Sequence, residues 1–345
     1  MVDFAGWSMP VQFKSIVEEH KSTRSAAGLF DVSHMGEALV SGGEATAFLD
    51  SVLTNDVSRM EEGQALYSLM CYENGGVVDD LLVYKKSDDE YMLCLNASNT
   101  DKDLEWLQSK CDGFDARVKD VSSDYALLAL QGPQTFEILK DLGAGESEDL
   151  KYYHFGEGEV GGRLCLISRT GYTGEKGVEL FVAPELAPGL AESILSTGEE
   201  RGLVLAGLGS RDSLRLEAGY SLYGHEISEE ISPVQSGLMW TVKLNKRSDF
   251  IGKEALEEEK REGPKRKIVF FKTGSRRIVR SGTEVWASDR IAGSVVSGTF
   301  SPQLNESIGS ALLDAEAAKA ELSVDMRGKS MPLFQCKPPF IELNP

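Results

Sequence analysis

The chain has 345 residues and a formal net charge of −19, with 36 Lys and Arg against 55 Asp and Glu. That balance argues against a nucleic-acid binder, whose affinity comes from clustered cations that displace counterions, and no apolar run approaches the roughly 20 residues that span a bilayer. With 41% hydrophobic and 26% charged residues the composition is that of a soluble globular protein, and the length calls for two or three domains.

After FAGWSMP, Ser15–Ala27 predicts a helix stopped by Gly28, and Leu29–Glu37 with Ala38–Ser41 predicts strand and turn. A helix at about Gly43–Leu53 follows. Between Ala65 and Asn96 lie the strands ALYSLMCY, VVDDLLVYKK and YMLCLN, the first two joined by a Gly-Gly turn. Asn96–Cys111 reads as an amphipathic helix with Ala97, Leu104 and Leu107 on its apolar side. Asp124–Leu130 is a further strand, and Gly132-Pro133 opens the helix QTFEILKDL with a first-turn proline. Gly143–Asp149 is a polar loop. Arg163–Ser168 and Gly177–Ala183 are strands joined by RTGYTGEK, which has glycines for tight turns but no GK[ST] of a phosphate loop. Helices follow at Glu185–Gly202 and Ser210–Ala218. The charge run EEEKREGPKRK, Glu257–Lys267, marks a domain boundary near Gly263. Beyond it IVFF, EVWA, IAGSVVSGTFS, IGSALL, ELSVDM and PLFQ predict a small all-β barrel or jelly roll. The fold class is α+β.

Five cysteines, Cys71, Cys94, Cys111, Cys165 and Cys336, stand at irregular spacings without a CxxC pair, and the four histidines form no HxH or HExxH. Neither a disulfide framework nor a metal site is expected, and a reducing compartment is.

The chemistry is placed in NGGVVDDLLVY, Asn74–Tyr84, because two adjacent carboxylates sit in an otherwise apolar strand. Alternation puts Val78, Asp80, Leu82 and Tyr84 on one face and Val77, Asp79, Leu81 and Val83 on the other. One carboxylate must face inward, where it needs a cation, a metal or a ligand with hydrogen-bond donors. The bland alternative is a strand-edge Asp or one that caps a backbone N–H.

Five further segments are dense in groups that could line a polar pocket: FDVSHMGE, Tyr67 with its strand, CLNASN, RTGYTGEKGVELF and SRDSLRLEAGYSLYGHEI. In this order, with FAGWSMPVQF ahead of them, QGP at Gln131–Pro133 and SGTFSPQLNESIG near the end, they resemble the T-protein family of the glycine cleavage system, the tetrahydrofolate-dependent aminomethyltransferases. The resemblance covers essentially the whole chain. One departure is that the family's usual LF/LY segment ahead of FAGW does not appear.

The resemblance implies a three-domain cloverleaf around a central hole that takes tetrahydrofolate. It divides into a discontinuous first α+β domain of residues 1–53 and 140–262, a second of 54–139 that carries the catalytic strand, and a C-terminal β-barrel of 263–345. The implied reaction takes an aminomethyl group from the lipoyl arm of the H-protein, releases ammonia and leaves 5,10-methylenetetrahydrofolate, in functional coupling with the P- and L-proteins. Tetrahydrofolate is the co-substrate, and no metal is involved. By motif, Asp80 is the catalytic carboxylate, Glu179 pairs with the pterin, and Arg211 is a cation beside the site. Tyr67, Tyr84, Tyr153 and Tyr220 supply rings to the ligand channel, Asn96 a hydrogen bond and Met35 packing beneath the ligand. His34 is read as structural, and Asp79 as the structural member of the aspartate pair.

Besides a scaffold that keeps the fold without turnover, two rivals stay open on the sequence. One is a tetrahydrofolate-dependent demethylase acting on a small methylated donor. The other is a non-catalytic folate-binding protein, whose relatives carry KGCYxGQE where Gly219–Glu226 reads GYSLYGHE. The basic run Lys260–Arg280 holds nine Lys and Arg against the single acid Glu262, and suits docking of an acidic H-protein. The N-terminus lacks the features of a signal or transit peptide, so a bacterial cytoplasm is expected, or a mitochondrial matrix for a processed chain.

Overall fold

The Gly-Gly turn joins two strands of a five-stranded antiparallel sheet in a computed structural model that describes residues 1–344. Its strand order is Ala65–Cys71, Val77–Ser87, Glu90–Leu95, Gly36–Ser41, Arg117–Asp120. Period-two alternation gives this sheet two different faces. Val40, Leu81, Val83, Tyr91, Leu93 and Leu95 turn towards the helices Ala45–Val52 and Thr100–Lys110, meeting Phe48, Leu49, Leu104 and Leu107. Ala65, Tyr84, Met92 and Cys94 turn the other way, onto Phe30, Leu127, Ala129 and Phe181 of a second sheet.

The second sheet has six strands, in the order Phe155–Val160, Arg163–Ser168, Gly177–Val182, Ala126–Gln131, Ala27–Asp31, Leu203–Leu205. Its remaining face, including Leu128, Leu130, Val178, Leu180 and Val182, packs on the helices Thr135–Asp141 and Ala187–Gly198. Helices therefore cover the outside of two sheets packed face to face, and the site grows from the space between the sheets.

The C-terminal pieces close into a six-stranded antiparallel barrel: Arg266–Lys272, Glu306–Asp314, Arg290–Ser301, Glu284–Ala287, Leu322–Asp325 and Ser330–Cys336, which pairs back to the first. Arg215 ties this barrel to the rest. Its buried guanidinium reaches Asp212 at 2.9 Å, Glu226 and the Tyr220 carbonyl at 3.0 Å, and the Ser297 hydroxyl at 2.8 Å.

Local expectations change in several places. The first helix, Ile16–Ser25, is capped by Ser15, whose hydroxyl accepts from the Glu18 N–H at 3.2 Å. It ends before Gly28, which lies inside the strand Ala27–Asp31; a Cβ there would stand 2.3 Å from Thr23 Oγ1. Pro133 precedes Gln134, the cap of Thr135–Asp141, and so lies outside the first helical turn. Phe155–Val160 is an unexpected strand, and the charge run is largely the helix Lys253–Glu262, stopped at Gly263.

The chain does not change sheets at 53 and 139. Gly36–Ser41 pairs with Glu90–Leu95, so this strand and the Ala45–Val52 helix belong with the five-stranded sheet. Ala126–Gln131 pairs with Gly177–Val182 and Ala27–Asp31, so it belongs to the six-stranded one. No helix among the described residues is long and apolar enough to cross a membrane.

Candidate functional site

A cavity of about 690 Å³ opens beside the inter-sheet core, lined by strands of both sheets and by the loop after the Leu208–Ala218 helix. Its walls are mostly apolar and aromatic, with polar groups gathered at two places. Volume and lining suit a drug-sized, partly planar ligand.

The first polar place is the aspartate pair. Strand pairing slips between Met70 and Cys71, so Val78 is an extra residue opposite that step. Val78 therefore packs with Leu81 and Val83, not with Leu82 and Tyr84 as plain alternation predicts. Asp80 opens on the cavity, whereas Asp79 is fully buried on the helix side. The buried carboxylate's donors are amides. Asp79 Oδ1 accepts from Asn96 Nδ2 at 2.9 Å and Asn99 Nδ2 at 2.8 Å, and Oδ2 from the Asn96 N–H at 3.3 Å.

Asp80 accepts from the Tyr67 hydroxyl at 2.9 Å and from Asn96 Nδ2 at 2.8 Å. Asn96 thus clamps both aspartates. Burial, and then the neighbouring Asp79, push the Asp80 carboxyl up to about 7, against the pull of the Tyr67 and Asn96 hydrogen bonds. This carboxyl can hold or release a proton near neutrality. Tyr67 also stacks on Trp240 at 5.8 Å, a ring that is 59% exposed.

The second place is built on Gly177–Val182. Glu179, on the cavity face of that strand, accepts from Thr170 Oγ1, which is itself 2.9 Å from Ser168 Oγ. Burial raises its carboxyl, opposed by Thr170 and by the Arg211 charge. Arg211 is not paired with Asp212, which serves Arg215, nor with Glu217, which serves His20 and Arg24. Its guanidinium lies 4.8 Å from the Tyr172 ring centre, and Tyr172 stacks on Tyr220 at 5.9 Å. Tyr153, at φ +59°, also lines the cavity.

Tyr67, Asn96, Met35, Tyr153, Tyr220, Glu179, Arg211 and Asp80 therefore share one cavity. Tyr84 does not line it. The residue is fully buried between Phe155 and Phe181, each edge-on at 5.4 Å, so no ligand ring can stack on it. Tyr172 and Cys94 line the cavity from segments read as possible pocket walls, though neither was singled out, and Trp240 and Phe4 join them unexpected. The signal for Tyr172 is its place in RTGYTGEK; Trp240 lies in a stretch without a periodic signal. His34, read as structural, lines the cavity against Phe4, with ring centres 5.2 Å apart. Burial first and Arg211 second push its imidazole down to about 4, which keeps it neutral. No cluster of metal-ligating side chains occurs among the described residues, and all five cysteines are free.

Residues 1–246 match the GCVT N-terminal domain, and residues 266–342 match the glycine cleavage T-protein C-terminal barrel domain. The aminomethyltransferase of Desulfitobacterium hafniense is 48% identical over 333 residues, covering 96% of this chain and 91% of its own. That of Lysinibacillus sphaericus is 47% identical over 342 residues, covering 98% and 93%. Among solved structures, the glycine cleavage system aminomethyltransferase T of Bartonella henselae superposes with a TM-score of 0.93 at 34% identity, covering 99% of this chain and 94% of that one. With its sheets, barrel and cavity as described, the chain belongs to the glycine cleavage T-protein family, and its activity is that of an aminomethyltransferase.

Proposed function

We propose that the cavity holds tetrahydrofolate with its reacting nitrogens at Asp80, and that the one-carbon unit enters on the lipoyl arm of an H-protein. The observation that carries this reading is Asp80 itself, a carboxyl open to the cavity, fixed by Tyr67 and Asn96 and poised near neutrality.

In the proposed reaction an R–S–CH2–NH2 arm meets the two folate N–H groups. Bonds from carbon to nitrogen and to sulfur break, and two new carbon–nitrogen bonds form. One folate proton leaves with ammonia and the other with the thiol, so 5,10-methylenetetrahydrofolate results. Asp80 orients the folate amine and stabilises the cationic iminium that forms as ammonia departs. Glu179 pairs with pterin N–H donors, while the aromatic walls at Tyr172, Tyr220 and Tyr67 pack on the ring planes. Arg211 offers a fixed cation to carboxylate. The bacterial relatives favour a cytoplasmic setting.

The test supplies tetrahydrofolate with either aminomethyl-lipoyl H-protein or sarcosine, and follows ammonia, formaldehyde-equivalent transfer and methylenetetrahydrofolate. Turnover with the H-protein intermediate alone supports the reading. Turnover with the small methylated amine alone would replace it by a demethylase.

A further inference from the structure

Behind the strand aspartates lies a third carboxyl to which the proposed reaction gives no role. Asp103, in the Thr100–Lys110 helix, is fully buried, and neither of its carboxyl oxygens accepts a hydrogen bond. Lys102 keeps its Nζ 4.0 Å from Asp103 Oδ1, beyond hydrogen-bond reach, and gives its protons to the Val78 carbonyl at 2.5 Å and the Tyr223 hydroxyl at 3.0 Å. The other titratable groups facing Asp103 are Asp79 and Asp80 from the strand and the phenols of Tyr72 and Tyr223.

An ionised carboxylate in that position would be buried, without donors and beside a like charge. Asp79, fully buried and held by Asn99 at the head of the same helix, removes the difficulty if Asp103 keeps its proton and donates to it. We propose that Asp103 is a neutral carboxylic acid whose O–H donates to Asp79, and that it acts as a positioning residue for Asp80 through Asp79 and the Asn96 amide that both strand aspartates share. Its effect is to let Asp79 carry the local negative charge while Asp103 stays neutral. Burial, and then Asp79, push the Asp103 carboxyl up to about 10, consistent with this arrangement.

The part concerning Asp80 rests on the proposed function; the protonation of Asp103 does not. Infrared spectra of the full chain labelled with carboxyl-13C aspartate, recorded at about pH 9, test protonation without turnover. The expected result is an un-ionised aspartic acid carbonyl band that shifts with the label and vanishes in Asp103→Asn. Absence of that band in the parent protein, or its survival in Asp103→Asn, overturns the proposal. The pH profile of transfer tests positioning. Asp103→Asn, a neutral donor, should leave the acid limb in place. Asp103→Leu, which removes the donor, should draw the Asn96 amide from Asp80 towards Asp79 and move the limb up by about one pH unit. A limb unmoved in Asp103→Leu would reduce Asp103 to a structural acid and overturn its positioning role. Should Asp103→Leu fail to fold, a limb displaced in Asp103→Asn overturns it equally. Folate binding without transfer in the parent would refute the proposed function while leaving the infrared result intact.

Discussion

Asp80 stands between opposing influences: burial and Asp79 raise its carboxyl, while Tyr67 and Asn96 hold it down. Removing one downward pull should therefore raise it further. In Tyr67→Phe the acid limb of aminomethyl transfer is expected to move to higher pH, read from initial rates across pH; a limb that stays or falls would show that the hydroxyl does not control the acid. Glu37 offers a stability counterpart. It is buried, and burial first and Asp120 second push its carboxyl up to about 8. A raised acid binds more protons folded than unfolded, so its contribution is present below the unfolded pKa of about 4.5 and lost as pH rises through about 8. Glu37→Gln should thus gain thermal stability relative to the parent as pH is raised from 5 to 9, by a few kcal/mol at most. The residues legible in sequence were those whose type is anomalous for their place, such as Asp80 in an apolar strand. Tyr84 was misplaced because alternation fixes a face, not a depth. Four residues along the strand is about 13 Å, and there Phe155 and Phe181 fill the inter-sheet space.

At the scale of elements, the hairpin that carries Asp80 is held at its turn. A Cβ on Gly76 would stand 1.9 Å from the Glu229 carbonyl oxygen, and the Val77 N–H donates to Ser228 at 2.9 Å. Gly76→Ala should cost about 1–3 kcal/mol of stability, measured by urea unfolding, and should lower transfer by shifting the start of the strand. A variant with unchanged midpoint and rate would show that this contact gives way freely. Most strands were legible because their apolar residues recur with a period of two between Gly-rich turns. Phe155–Val160 was not, since FGEGEV is an edge strand whose glycines and glutamates carry no apolar face. Lys253–Glu262 was hidden by its charges, with Leu256 its only buried residue. The slip at Val78 was invisible too, because one extra residue leaves the composition of a strand unchanged.

For the whole molecule, the resemblance carried the architecture: six barrel strands follow the six apolar pieces in order, while the sheet boundaries had to come from strand pairing. Arg215 joins the Leu208–Ala218 helix to the barrel. Arg215→Met should destabilise the protein by about 3–5 kcal/mol, because Glu226 is left buried without its cation; calorimetry would read this, and a loss below 1 kcal/mol would mean the barrel is held by its other contacts. The basic run spans several elements, from Lys260 at a helix end to Arg276 and Arg277 exposed on the loop after the first barrel strand. If that surface receives the H-protein, charge reversal at Arg276 and Arg277 raises KM for the H-protein and leaves kcat unchanged; an unmoved KM places the dock elsewhere. In the proposed reaction one carboxyl of the shared cavity does the chemistry and the other residues bind. Asp80→Asn keeps the shape and the Asn96 and Tyr67 neighbours but cannot carry the charge. Tetrahydrofolate affinity by calorimetry should remain within about tenfold of the parent while aminomethyl transfer falls by roughly 10²–10⁴-fold. Transfer at the parental rate in Asp80→Asn would refute that role for Asp80.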